Sequence, residues 1–220
     1  MANPPAEKRP GSLDVCVFCG ARLGNSTAVV AAARELGTLL GEAGHRLVYG
    51  GGGVGLMGEV AWAAYRGGAQ VTGIMPRFLY AAEDADAAPP QDLRLTATLA
   101  ERKERMLRVA DCFLALPGGF GTLDEVLEVL TLMKLRQQHK PLVLVQVDQA
   151  WTSFLEVAAE IGRRGFADPG AGDLIKVVDS PAEAVRLIDA EARRPRVPAR
   201  TARPAWKAPA HPAPPVARSA

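Results

Sequence analysis

Long hydrophobic runs are missing from this 220-residue chain. Although 48% of it is hydrophobic, no stretch approaches the roughly 18–20 uninterrupted apolar residues that a membrane helix needs. The opening, MANPPAEKRPGSLD, has no apolar segment of the kind a secretory leader carries. The expectation is a cytoplasmic protein without a membrane partner. Cysteine is scarce: Cys16, Cys19 and Cys112 cannot build a disulfide framework, and all three lie in apolar runs that read as strands. Cys16 and Cys19 have a dithiol spacing, but residues three apart on a strand point to opposite faces, so a structural role is expected. The three histidines, His45, His139 and His211, lie away from every loop motif described below. Neither a histidine-based triad nor a zinc cluster can be assembled from them.

Acidic residues are absent from the last part of the chain. Residues 193–220 carry six Arg, one Lys and seven of the 17 prolines. Removing those seven positive charges from the net +2 leaves −5 for the rest. Proline at this density forbids a continuous helix or ladder, and a disordered basic appendage is predicted. It reads either as an electrostatic arm or as a solvated extension; the proline spacing dilutes the charge and favours the second, so nucleic acid is not expected as a partner. Residues 1–12 are also rich in proline and charge and read as a flexible segment.

Between these ends, short β-branched apolar runs closed by glycine or proline alternate with longer stretches of helical period. Strands are predicted at 14–19, 46–50, 70–75, 93–97, 112–116, 141–147 and 175–179, and helices at 26–43, 55–67, 99–110, 122–137, 151–164 and 181–193. Such alternation signals βαβ units and a sheet covered on both faces. The prediction is a single domain over 13–192, a Rossmann-like three-layer α/β sandwich with a mostly parallel sheet of about seven strands. Ligands of such sheets sit at the carboxyl edge of the strands. Four loops gather there: CGARLGNS after the first strand, GGGGVGLMG after the second, TLAERK after the fourth and LPGGFGT after the fifth.

In LPGGFGT, Gly118, Gly119 and Gly121 let a ligand approach the main chain, and Thr122 opens the next helix as its cap or a first-turn residue. Free N–H groups and the positive helix end make an anion site, most naturally for a phosphate. No Walker A pattern passes through the loop, because its lysine is missing. Gly53, Gly55 and Gly58 formally match the dinucleotide fingerprint, but the strand that should end in an acid to hold ribose hydroxyls ends in Ile74, Met75 and Pro76. These glycines are read as allowing close approach of a ligand or a neighbouring helix. Glu125, three residues past Thr122, fits a capping-box glutamate as well as a carboxylate held near a sugar. Arg102 and Lys103 at the start of a helix oppose its dipole, so they serve either a ligand or the neighbouring Glu101 and Glu104.

The paired stretches PGGFGTLDE and LAERKERM resemble the PGGxGTxxE motif and its accompanying Arg-Lys motif in the LONELY GUY (LOG) family, and VCVFCGAR and LVYGGGGVGLMGEVA are similar to that family's first two strand–loop units. The resemblance covers roughly residues 13–190. It implies hydrolysis of the N-glycosidic bond of cytokinin riboside 5'-monophosphates, and of AMP, to free base and ribose 5-phosphate, without cofactor or metal. Many relatives carry the label lysine decarboxylase, yet no pyridoxal phosphate site is offered here. By position, Arg102 and Glu125 match the catalytic pair, Lys103 a binding residue, and Gly118, Gly119, Gly121 and Thr122 the phosphate loop. Glu83 and Thr131 match further substrate contacts, and Gly20 belongs to the first loop. Two departures stand out: Leu99 replaces the usual methionine of an adenine-side contact, and Ala21 followed by Arg22 replaces a serine, offering a guanidinium instead of a hydroxyl. The family's usual state implies a homodimer with the site near the subunit boundary. On the same scaffold, a non-catalytic nucleotide or molybdenum-cofactor carrier is the competing expectation. The nearly all-round apolar surface of helix 122–137 predicts burial on several sides.

Overall fold

The structure, a computed structural model, describes residues 9–167 and 174–192. The expectations for residues 1–8 and for the basic appendage at 193–220 lie outside the described residues. Within the N-terminal segment, the Ser12 hydroxyl donates to the Gly44 carbonyl at 2.8 Å.

Among the described residues, seven strands alternate with six helices: β1 Asp14–Phe18, α1 Thr27–Glu42, β2 Arg46–Tyr49, α2 Gly55–Arg66, β3 Val71–Pro76, β4 Asp92–Thr96, α3 Leu99–Val109, β5 Cys112–Ala115, α4 Phe120–Lys134, β6 Leu142–Val145, α5 Thr152–Arg163, β7 Ile175–Val178 and α6 Pro181–Ala192. Two 3-10 turns, Arg77–Leu79 and Ala85–Ala87, bridge β3 and β4 in place of a helix. Every strand pair is parallel, in the order β4-β3-β2-β1-β5-β6-β7. The order runs one way from β1 to β4 and the other way from β5 to β7. Their divergence opens a crevice at the carboxyl ends of β1 and β5, where open sheets of this kind bind ligands.

Pleat alternation divides the core between the two faces. Val15, Val17 and Cys19 pack with Leu36 and Leu40 of α1, Val60 of α2 and Ile188 of α6. Cys16 and Phe18 pack on the other face with Met106 of α3, Val126 and Val129 of α4, and Trp151. Cys16 and Cys19 therefore occupy opposite sides of the sheet, and all three cysteines are buried and outside any disulfide. His45 is structural: its Nδ1 accepts the Leu13 amide at 3.2 Å, so Nε2 carries the proton and donates to Asp189 of α6 at 3.0 Å.

The burial expected for α4 is not met within one chain. Only Thr122, Val126 and Val129 of that helix are buried, while Leu127 is 47% and Leu135 57% exposed. A helix lying on a sheet buries one stripe, and the apolar residues on its other side face outward. Helix α5 has no buried residue, and its Val157 is 60% exposed.

Candidate functional site

A cavity of about 730 Å³ occupies the crevice, lined by the loop from Cys19 to Ser26, by Met57, Glu83 and Arg102, by the 117–122 loop with Glu125, and by Asp148 and Ala150. Main-chain bonds knit its walls: the Gly20 amide donates to the Pro117 carbonyl and the Met57 amide to the Gly20 carbonyl, both at 3.3 Å. The four glycine-rich or charged rim loops foreseen from sequence all contribute, except that TLAERK does so through Arg102 alone.

The glycines of the 117–122 loop differ in what they accommodate. A Cβ on Gly118 would stand 2.1 Å from Thr122 Oγ1 and 2.9 Å from the Gly20 amide nitrogen, so the protein's own packing demands that glycine. Gly119 and Gly121 have nothing within 4 Å of a built Cβ, and neither has a positive φ. Neither conformation nor packing calls for glycine there; both open onto the space in front of α4. Gly119 is the N-cap of α4 in extended conformation, and no side chain caps the helix. Its first N–H groups have no side-chain cap, and an uncapped helix start of this kind is suited to an anion.

This start places α4 two residues earlier than the predicted 122. Thr122 is the third helical residue and not the cap, and Glu125 is the sixth, in the second turn. The capping-box reading of Glu125 is thereby excluded, since that role needs the third helical position. A related cap occurs instead on α3, where Thr98 Oγ1 accepts the Glu101 amide at 3.1 Å and Glu101 Oε2 accepts the amide of Ala97, the residue before the cap, at 2.8 Å.

Glu101 and Glu104 also pair with Arg105 and Arg108, one turn along α3. They do not pair with Arg102 or Lys103, which point elsewhere. Arg102 is 8% exposed, and its Nε donates to the Ile74 carbonyl at 3.1 Å. Its guanidinium lies over Gly50, where a Cβ would stand 2.0 Å from Nη2. Lys103 Nζ meets Asp124 at 2.8 Å and Glu128 at 2.7 Å, and lines a small cleft behind Glu125 instead of the large cavity.

The run from Gly50 to Gly58 serves the protein itself. Gly51 and Gly55 hold φ of +86° and +62°. A Cβ on Gly53 would meet the Asp84 carbonyl oxygen at 2.3 Å, and the Gly53 amide donates to the Glu83 carbonyl at 2.9 Å. The glycine run is thus a mould for the 83–88 turn, through Gly53, for the Ala21–Arg22 main chain, through Gly55, and for Arg102, through Gly50. That turn presents Glu83 to the cavity, followed by Asp84 in left-handed conformation (φ 44°).

Two carboxyls of the cavity carry perturbed acidity. Burial pushes Glu125 up to about 7; the Arg102 charge opposes the shift, while Asp124 and Glu83 add to it and Lys103 opposes it. Burial also raises Glu83, again against Arg102. Glu83 Oε2 is sealed from solvent and has no hydrogen-bond partner. Cys19, on the cavity floor, is raised by burial and kept as a thiol.

Of the residues singled out from sequence, Gly20, Arg22, Glu83, Arg102, Gly118, Gly119, Gly121, Thr122 and Glu125 line one cavity. Leu99, 47% exposed, and Thr131, exposed on α4, lie outside its lining, as does Lys103. Sequence reasoning passed over Asp148 and Ser26. Asp148 follows β6, holds φ 48°, and accepts a hydrogen bond from the Ser26 hydroxyl. The signal was available, because VDQ at the carboxyl end of the sixth strand belongs to the same rim as the other loops.

Residues 57–188 match the sequence model of a family described as possible lysine decarboxylase. Among curated proteins, the chain is 42% identical over 160 residues to the probable cytokinin riboside 5'-monophosphate phosphoribohydrolase LOGL3 of Oryza sativa subsp. japonica, covering 73% of this chain and 75% of that one. It is 38% identical over 175 residues to the cytokinin riboside 5'-monophosphate phosphoribohydrolase LOG1 of Arabidopsis thaliana, covering 80% and 82%. Against a further rice relative, LOGL5, identity is 42% and the match spans 65% of the relative's length. Among solved structures, the molybdenum cofactor binding protein of Rippkaea orientalis superposes with a TM-score of 0.62 at 23% identity, over 81% of this chain and 97% of that one. The molybdenum cofactor carrier protein of Chlamydomonas reinhardtii gives 0.60 at 21%, over 81% and 98%; at such identity these two speak for the fold. Motifs, topology and the extent of the curated matches agree, and the chain belongs to the LONELY GUY family, whose sequence model bears the description possible lysine decarboxylase.

Proposed function

We propose that this chain is a nucleoside 5'-monophosphate phosphoribohydrolase: water cleaves the N-glycosidic bond of cytokinin riboside 5'-monophosphates, and of AMP, releasing the base and ribose 5-phosphate. One observation carries the reading. Gly119 and Gly121 are bare without any need of the protein's own, at an uncapped helix start, in a cavity that also holds Arg102 and a carboxyl perturbed towards neutrality.

The phosphate is taken by the amides of residues 118–122, with Thr122 supplying a hydroxyl and Arg22 a cation from the facing loop. Gly20, packed against Gly118, keeps that wall close. This remote grip anchors the sugar one helical turn further on, beside Glu125, and turns a bimolecular hydrolysis into a positioned one. Breaking the bond builds positive charge on the ribose, which the ionised Glu125 stabilises while it orients the water. Arg102 does not deprotonate at neutral pH, so it acts as a fixed donor that polarises the base and holds Glu125 in place. Lys103 acts through Asp124 and the rear of Glu125. Leu99 and Thr131 take part only through a second copy of the chain. A homodimer, with the exposed Leu127 of α4 and Leu135 at its C-cap covered by the partner and the site near the boundary, supplies that copy; the cytoplasm is the proposed compartment.

The test is to incubate purified protein with isopentenyladenosine monophosphate and AMP and to follow the free base by chromatography. Release from either supports the enzyme. Nucleotide bound but no base released from either points to the carrier reading.

A further inference from the structure

Hydrolysis of a ribosyl–purine bond sets two opposite electrostatic demands. The sugar needs a negative neighbour, and the departing base needs a proton. The proposed function occupies one carboxyl with the first demand and leaves the second to an arginine that cannot release a proton.

The cavity holds another candidate. Glu83 enters from the β3–β4 connection, across the β2 and β1 loops from the α4 start where the phosphate is gripped. Its backbone is fixed independently of its side chain, by the Gly53 amide on its carbonyl at 2.9 Å and by the left-handed Asp84 that follows. Its side chain is poorly served as an anion. Oε2 is sealed from water and accepts no hydrogen bond, and an ionised carboxylate with an orphaned buried oxygen is far costlier than the neutral acid. Arg102 is the one cation among the influences that act on it. Glu125 is itself raised by burial and by the Asp124 and Glu83 charges, but two cations, Arg102 and Lys103, oppose that shift, and neither of its oxygens is among the sealed, unpartnered side-chain atoms of the described residues. The two carboxyls flank one guanidinium, whose single charge compensates one ionised group and not both.

Resting on the phosphoribohydrolase reading, we propose that Glu83 is the general acid of the reaction: its carboxylic proton passes to a ring nitrogen of the leaving purine while ionised Glu125 faces the ribose. The C1'–N9 bond breaks with its electron pair going to the base, and the proton of Glu83 neutralises that pair. Water forms the new C1'–O bond and gives its proton to Glu125. The net change is addition of water across the bond; proton exchange with solvent then returns the acid form to Glu83 and the ionised form to Glu125. Growing positive charge on the sugar draws ionisation to the carboxyl beside it, and growing basicity of the base draws the proton from the other.

Leaving-group dependence tests this assignment. AMP requires a proton on its base, whereas 4-nitrophenyl β-ribofuranoside 5-phosphate expels a stable anion without one. In Glu83→Gln the ratio of kcat/KM for the nitrophenyl substrate to kcat/KM for AMP should rise by about 10²-fold, the low end of a general acid's contribution. In Glu125→Gln both substrates should suffer together and the ratio stay near that of the wild type. Ribose 5-phosphate binding, measured by calorimetry, reports whether each variant keeps its cavity. If Glu83→Gln loses that binding, Glu83→Asp replaces it: retained AMP cleavage with an unchanged ratio supports a proton donor, and equal loss on both substrates refutes it. An unchanged ratio in a correctly folded Glu83→Gln overturns the proposal, whatever the absolute rates. Wild-type protein that releases no base from AMP or isopentenyladenosine monophosphate would instead overturn the parent reading, and that arm is read first.

Discussion

Replacing Gly121 by alanine should move stability and ligand binding in opposite directions. The new methyl meets no atom within 4 Å, and the residue is the second of α4 with no positive φ. Alanine there removes a conformational-entropy cost of about 0.5 kcal/mol, the low end for glycine in a helix because the site is in the first turn. For a domain of this size that raises the melting temperature by about 1–2 °C. The methyl occupies the space in front of the open amides. If a phosphate docks there, it loses at least one charge-assisted hydrogen bond, of about 1.5–3 kcal/mol, or roughly 10- to 100-fold in affinity. Differential scanning calorimetry and titration with ribose 5-phosphate read the two effects on one sample. Gly118→Ala is the control with the opposite signature, since its Cβ would stand 2.1 Å from Thr122 Oγ1 and must destabilise the fold. A Gly121→Ala protein that melts higher and binds ribose 5-phosphate as tightly as the wild type would refute the phosphate site.

Glu125→Gln should lower kcat by about 10²- to 10⁴-fold and also flatten the pH dependence of stability. Between the ordinary 4.5 and about 7, the folded chain retains a proton that the unfolded chain has released, so stability falls as pH rises through that window and the loss is complete above it. Urea unfolding at pH 5 and pH 8 should show that fall in the wild type and a smaller one in the variant. Arg102→Leu removes the largest influence opposing the Glu125 shift, so the acid limb of kcat/KM against pH should move to higher pH; a limb that stays put would disconnect the two residues. Gly50→Ala drives a methyl into Arg102 Nη2, and should cost about tenfold or more in AMP turnover, about 1.4 kcal/mol of transition-state stabilisation. Its circular dichroism spectrum should remain that of the parent.

Local pattern carried the architecture far. The short β-branched apolar runs and the period-3.6 stretches between them end within two to three residues of every observed strand and helix boundary. A strand buried on both faces and an amphipathic helix are written in consecutive residues, and the carboxyl-edge rule then locates the rim. What pattern does not encode is which neighbour a side chain meets across the fold. Lys103 and Arg102 read together as serving a ligand or the neighbouring glutamates, yet the roughly 100° of helical rotation between consecutive residues carries Lys103 to Asp124 and Glu128 and leaves Arg102 over Gly50. The glycines from 50 to 58 read as an opening for a ligand or a helix; most of their close neighbours are the protein's own 83–88 turn, Arg102 and loop main chain, positions more than 30 residues away. Glu125 read as a first-turn residue because threonine is a good cap, but the extended Gly119 begins α4 earlier and needs no side chain to do so. Asp148 was missed because its left-handed backbone has no glycine to announce it.

The seat of Arg102 is a hole left by a missing side chain. Position 50 and position 102 are therefore tied in any descendant of this chain: a lineage that acquires even a methyl at 50 must surrender the guanidinium's resting place, and one that gives up the arginine has only the Met57 thioether, 2.7 Å from the same point, left to move before it fills the gap. Reading those two positions together should sort proteins of this scaffold that keep the arginine poised from those that have let it go, before any assay is run.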